Sequence, residues 1–333
     1  MNQRLVYIDQ LKGFAILMVV MGHVLQFCFK EGEPSLTSQV IVSFHMPLFA
    51  FLSGLMFTTI CDFKQIVRKF AKQSHKLLLP FLSFLLIYAY TIRPEENMIT
   101  HPFKLGLWYL LFLWQCYLLT HVYDVLFLKQ VVDRNKKLCF FIDAVWMVCT
   151  YLVFKVAFSH LPQNTVGVLG VIHLYKLYPF FFTGCLIKRY SVFSKLFDGH
   201  KIYSDISFIL WIFLLIISIK VYSSQTIVLI LGALSVYPIV LWFYRMGGVN
   251  TKIGRMLNLF GRYSLEIYIL HRFMTSTCDM EMFGKYIFET GSITIEILVA
   301  LCLSLLFAYI SVYISRFIRL NKILSIVLLG DKK

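Results

Sequence analysis

Apolar residues along this chain fall into about ten runs, with the polar residues gathered between them. The runs lie near 8–28, 38–60, 76–92, 104–122, 138–157, 166–187, 203–220, 225–244, 262–278 and 292–315. This pattern predicts an all-α polytopic membrane protein of about ten transmembrane helices. No linker, low-complexity segment or internal repeat divides it, so residues 1–333 read as one integral membrane domain. Residues 316–333 read as a short basic cytoplasmic tail. Its segment FIRLNKILSIVLL is too short to span and is expected to lie along the membrane surface.

Charge orients the runs. Basic residues cluster in alternate connections: Lys64, Arg68, Lys69, Lys72 and Lys76; Lys129, Arg134, Lys136 and Lys137; Lys188, Arg189, Lys195 and Lys201; Arg245, Lys252, Arg255 and Arg262. The tail adds Arg316, Arg319, Lys322, Lys332 and Lys333. The intervening connections are poorer, with Lys30 beside Glu31 and Glu33, and Arg93 beside Glu95 and Glu96. Basic loops stay inside, which puts both termini in the cytoplasm and makes the helix number even. A net charge of +15 would otherwise suit a nucleic-acid partner, but its confinement to short loops argues for membrane lipids instead. With 59% hydrophobic and only 15% charged residues, a soluble chain could hardly cover its apolar surface. The eight cysteines are scattered without a CxxC pair, so neither a zinc site nor a disulfide framework is read, and no metal is expected. The first run lacks a small-residue cleavage site, so it is no removable signal.

That first run, from Arg4 to Leu25, carries polar groups that a plain anchor would lack. Lys12 and His23 are eleven steps apart, ~20° past three full turns, so they share a face. They are separated by about 16 Å of rise, roughly half a hydrocarbon core. Asp9 precedes Lys12 by three residues, on the same side. Ionisable groups at such depth are costly in lipid and should face protein or a water-filled cavity. The topology puts Asp9 and Lys12 at the cytoplasmic end and His23 in the outer half. The second run returns inward and carries His45 at a depth like that of His23, so the two histidines are able to face one another. Pro47 frees a backbone carbonyl there and Gly54 permits close helix approach.

YIDQLKGFAILMVVMGHV followed by FHMPLFAFLSG resembles the start of membrane-bound acyltransferase family 3, which includes bacterial O-acetyltransferases of surface polysaccharides. KLLLPFL at 76–82, GLWYLLFL at 106–113, YPFFFTGCLIKRY at 178–190 and GRYSLEIYILH at 261–271 are similar to later family segments, in the right order. The resemblance implies about ten helices in a bacterial inner membrane, with acetyl-CoA as the cytoplasmic donor. It implies a polysaccharide, or its lipid-linked precursor, as acceptor on the far side. A basic residue and a histidine separated by ten residues mark the family's first helix; many members have arginine where this chain has Lys12. Lysine keeps the charge but loses the bidentate fork for phosphate.

The residues agree with that chemistry. CoA's nucleotide end is anionic and cannot enter lipid; Lys12 with Lys69, Lys72 and Lys76 offers it charge at the cytoplasmic face. The slender pantetheine arm can follow the stripe toward His23, the expected general base on a sugar hydroxyl. His45 is the second catalytic candidate. Asp9 orients Lys12, and His271 and Glu266 are substrate-contacting or orienting candidates within the 262–278 run. Direct transfer and an acetyl-histidine intermediate both fit. Two rivals from other classes stand beside this reading. One is a proton-coupled transporter using Asp9, His23, His45, Glu266 and His271 as a relay; the other is a non-catalytic partner in polysaccharide export.

Overall fold

The computed structural model describes residues 6–30, 34–60, 62–91, 99–128, 136–190, 201–220, 225–246 and 248–331. Several charges used to orient the runs lie outside them: Glu31, Glu33, Arg93, Glu95, Glu96, Lys129, Arg134, Lys195, Lys332 and Lys333.

Among the described residues every regular element is helical. The helices are α1 Val6–His23, α2 Leu36–Met56, α3 Phe63–Thr91, α4 Trp108–Tyr123 and α5 Lys136–His160. They continue as α6 Gln163–Leu169, α7 Val171–Arg189, α8 Lys201–Lys220, α9 Gln225–Met246 and α10 Lys252–Arg262. The last four are α11 Ser264–Thr277, α12 Glu281–Thr290, α13 Ile293–Ile318 and α14 Lys322–Leu329. A π-helical turn, Val24–Cys28, extends α1.

Each of the ten apolar runs therefore falls on helix. Among the described residues six helices are long and apolar enough to cross a membrane, or seven if α6 and α7, bent by 42° at a short break, count as one. The break is at Gly170, whose φ of 63° is left-handed and ends α6. The other three runs fall short of that measure for visible reasons. The run in α3 is continuous with a charged first half, α8 holds only a short apolar stretch, and α11 has 14 residues. Where the outer surface of a span is concerned, α5 is typical: Phe140, Phe141, Val148, Val153 and Val156 are all more than half exposed. Water would penalise such a face, whereas lipid accepts it.

The helices group into two compact units, Met1–Leu52 with Phe193–Phe317, and Ser53–Val192 with Ile318–Lys333. In the first unit α1 is the buried centre, with Leu11, Ile16, Val20, Val24 and Leu25 fully enclosed. Phe14 stacks on Phe44 of α2 with centroids 6.0 Å apart, and Trp211 of α8 donates from Nε1 to Ser43 Oγ at 3.2 Å. The short α10, which the sequence shows only as a basic connection, lies directly on the first turns of α1. A Cβ at Gly13 would sit 1.9 Å from the Leu257 carbonyl oxygen, and one at Gly261 1.8 Å from that of Asp9. The two backbones touch because both positions are glycine. Gln10 secures the crossing by donating from Nε2 to the Val249 and Gly254 carbonyls at 2.9 and 3.1 Å.

In the second unit, three helix ends converge on a buried ionic network. Arg189, the last residue of α7, pairs through Nη2 with Asp124 Oδ1 at 3.1 Å and through Nη1 with Asp143 Oδ1 at 2.5 Å. Tyr123 donates to Asp143 Oδ1 at 2.5 Å and Tyr190 donates to its Oδ2. Both carboxylates are fully buried, which is tolerable only because each meets the guanidinium. The tail helix α14 also belongs to this unit. It packs on α3, with Ser83 Oγ donating to the Val327 carbonyl at 2.9 Å and Gly330 seated against the backbone of His75 and Lys76. Surface lipid alone, the expectation from its length, leaves out this packing against protein.

Candidate active site

Two helices of the first unit bring their histidines together. His23 closes α1 and His271 lies mid-way along α11, 248 positions later. Their rings lie edge to edge, 10° from parallel with centroids 5.0 Å apart, and His23 Nδ1 lies 2.6 Å from His271 Nε2. The surroundings assign the protons. His271 Nδ1 is 2.8 Å from the Ile267 carbonyl oxygen, which can only accept, so Nδ1 carries the hydrogen. In neutral His271, Nε2 then holds the lone pair and accepts from His23 Nδ1–H. That leaves the lone pair of His23 on Nε2, the nitrogen facing away from the partner ring. A carbonyl-to-imidazole-to-imidazole chain thus fixes the tautomer of the outer histidine, as a buried carboxylate does in other histidine bases.

The sequence leads one to expect His45 opposite His23. It lies within electrostatic reach of it, but the hydrogen-bonded partner is His271. The reason is local: His45 Nδ1 donates to the Ile41 carbonyl one turn back in its own helix, at 2.7 Å, which ties the ring down along α2. Its Nε2 accordingly bears the lone pair. Arg272, to which the sequence assigns no role, is buried beside the pair and interacts electrostatically with both histidines. Its guanidinium lies 3.5 Å over the Phe27 ring, and Phe27 in turn meets His23 edge-on at 5.5 Å.

At the other end of α1, Asp9 is buried and Lys12 is half-buried. The packing of α10 on this end adds Lys252, Arg255 and Arg262 to the same region of the unit. Glu266 is buried in the first turn of α11, where its charge suits the helix N-terminus.

The remaining candidate residues belong to the second unit. Lys69, Lys72 and Lys76 lie along α3, the first half-buried and the last exposed. Lys69 donates from Nζ to the Thr58 carbonyl at 2.7 Å and sits 5.1 Å from the Phe57 ring centroid. Burial, and next the neighbouring Lys188, push its ammonium below the usual lysine range. Lys188 donates to the Met56 carbonyl at 3.4 Å. Each of the two ammoniums is thus held by a main-chain carbonyl. Among the described residues no group of three or more His, Cys, Asp and Glu side chains could hold a metal ion.

The sequence model of the acyltransferase domain of acyltransferase family 3 matches residues 5–316, nearly the whole chain. The chain belongs to that family and is a multi-pass membrane acyltransferase. No curated protein and no solved structure matches it.

Proposed function

We propose that this protein transfers an acetyl group from cytoplasmic acetyl-CoA to a hydroxyl of a surface polysaccharide or of its lipid-linked precursor, in the bacterial inner membrane. The observation that carries the proposal is the His23–His271–Ile267 chain, which leaves His23 Nε2 as an oriented base. In the reaction, His23 Nε2 takes the proton of the acceptor hydroxyl as its oxygen attacks the thioester carbonyl. The carbon–sulfur bond then breaks, CoA leaves as thiolate, and the proton passes from His23 to the sulfur. The products are an acetyl ester and CoA. Arg272 supplies positive charge for the oxyanion of the tetrahedral intermediate. His45 binds the acceptor through its Nε2.

In the first unit Lys12, held in place by Asp9, offers charge to the phosphates of CoA, and Glu266 supports the inner end of α11; in the second unit Lys69, Lys72 and Lys76 on α3 offer charge to the same class of anion. Replacing Lys12 or Lys69 by Ala is expected to weaken acetyl-CoA binding by about 1.5–3 kcal/mol for each charged hydrogen bond removed. Lys12→Arg is expected to retain binding, since the charge and donors remain. Titration of the purified protein with acetyl-CoA checks this; unchanged affinity in all the alanine variants would remove the donor site.

The orientation is tested separately. A cysteine at Ser35 is expected to react with an impermeant maleimide added outside, and a cysteine at Gln65 only after the membrane is opened. The reverse pattern would invert the sidedness of donor and acceptor.

A further inference from the structure

Beyond the histidine pair, at the same end of the first unit, two thiols from opposite ends of the chain meet. Cys28 is the last residue of the π-helical turn that extends α1, and Cys278 is the residue that closes α11. Both are free thiols, Cys28 fully buried and Cys278 half-buried. The Cys28 thiol donates toward the Thr275 carbonyl at 3.7 Å, three residues before Cys278 at the end of the same helix.

The backbone around them is clamped in register. Met280 N donates to the Cys28 carbonyl at 2.9 Å. Lys30 bridges Asp279 at 2.8 Å and Glu281 at 3.1 Å. A Cβ at Gly284 would sit 2.3 Å from the Phe29 carbonyl oxygen, so α12 lies hard against the residue that follows Cys28. Two cysteines on adjoining backbones held this way meet one demand of a disulfide, a fixed approach of the segments that carry them. Acyl transfer uses neither sulfur.

We infer that Cys28 and Cys278 form a disulfide in the mature protein, a modification site that locks the turn after His23 to the end of the helix carrying His271. The inference rests on the orientation proposed above, which puts this end of the unit outside the cytoplasm, where disulfides persist. The bond forms by thiol–disulfide exchange with an oxidised dithiol protein of the oxidoreductase class. Cys278, the more exposed, attacks that protein's disulfide as thiolate, and Cys28 then displaces it from the mixed disulfide. Two S–H bonds are lost and one S–S bond is formed. The electron pair and, by exchange through solvent, the two protons pass to the oxidoreductase, whose own S–S bond breaks to give its dithiol. The link lies about one turn beyond His23 and about two turns beyond His271, so it preserves their hydrogen bond when the membrane is heated.

The test uses the full chain in its native membrane. A protease site is inserted within 191–200, so that cleavage separates Cys28 from Cys278. Intact cells are treated with a permeant maleimide before lysis to block free thiols and prevent later oxidation. The two fragments are expected to stay joined on a denaturing gel without reductant and to separate with it. In C28S and in C278S they are expected to separate in both lanes, and in C302S to stay joined without reductant. Wild-type fragments that separate without reductant, or fragments that stay joined in either single variant, would overturn the pairing. The Ser35 cysteine is labelled in the same membranes. Labelling from outside together with free Cys28 and Cys278 would sink the disulfide and leave the orientation standing; labelling only from inside would sink both. Reductant is expected to shorten the half-life of acetyl transfer at raised temperature several-fold in wild type and not in C278S. A wild-type half-life unmoved by reductant would overturn the locking role.

Discussion

His23→Gln is expected to lower acetyl transfer by about 10²–10⁴-fold, the usual contribution of a general base. Glutamine keeps a hydrogen-bonding side chain of similar reach and loses the titratable nitrogen. The hydrogen-bonded partner separates this role from a structural one. His271 Nε2 accepts from His23 Nδ1 at 2.6 Å, and His271 Nδ1 donates to Ile267. His271→Ala therefore releases the tautomer of His23 without removing the base. Its turnover is expected to fall by less than that of His23→Gln, with the affinity for acetyl-CoA unchanged in both. His45→Ala is expected to raise the Michaelis constant for the acceptor more than it lowers turnover. Rates are measured in vesicles at matched protein levels. Near-normal turnover by His23→Gln would show that the histidine is only a structural donor.

Arg189→Ala is expected to destabilise the second unit by about 3–5 kcal/mol, because it leaves Asp124 and Asp143 buried without a counter-charge. The two tyrosines that donate to Asp143 cannot replace the guanidinium, since they bring no charge. Neutralising the acids in the same chain, with Asp124→Asn and Asp143→Asn, is expected to recover part of the loss. Thermal unfolding of the detergent-solubilised protein checks both. An unchanged transition in Arg189→Ala would mean that the carboxylates take up protons at little cost and that the network does not hold the three helix ends together.

Much of this architecture is legible in the order of residues. Helices of a membrane protein satisfy their own backbone, so an apolar run of sufficient length announces itself, and all ten runs are helical. The stripe of Lys12 and His23 is likewise local, needing only the helical period. What is not legible depends on tertiary approach. His271 reaches His23 from 248 positions away; a linear reading finds His45 on the next run at similar depth and has no local signal for the ring that bonds to His23. The bond from His45 to Ile41 that turns it aside is a side-chain choice within one turn, invisible to periodicity. The helix α10 escapes because its residues are few and basic, which reads as a loop. Its glycines at 254 and 261 are the available signal, being spaced to let one helix face lie against another. Arg272 escapes because a charge at the end of an apolar run is ordinarily taken for an interface residue. Arg189 likewise reads as one more cytoplasmic basic residue, although its guanidinium is buried between two acids.

The central claim is vectorial acetyl transfer, and sealed vesicles test it directly. Purified protein is reconstituted with labelled acetyl-CoA enclosed on the cytoplasmic side and a soluble oligosaccharide acceptor on the other. The account predicts labelled ester in the outer solution, formed in proportion to CoA released within, and lost in His23→Gln. Contradiction would come from vesicles in which acetyl-CoA remains intact while a pH gradient drives solute across the membrane through the same protein.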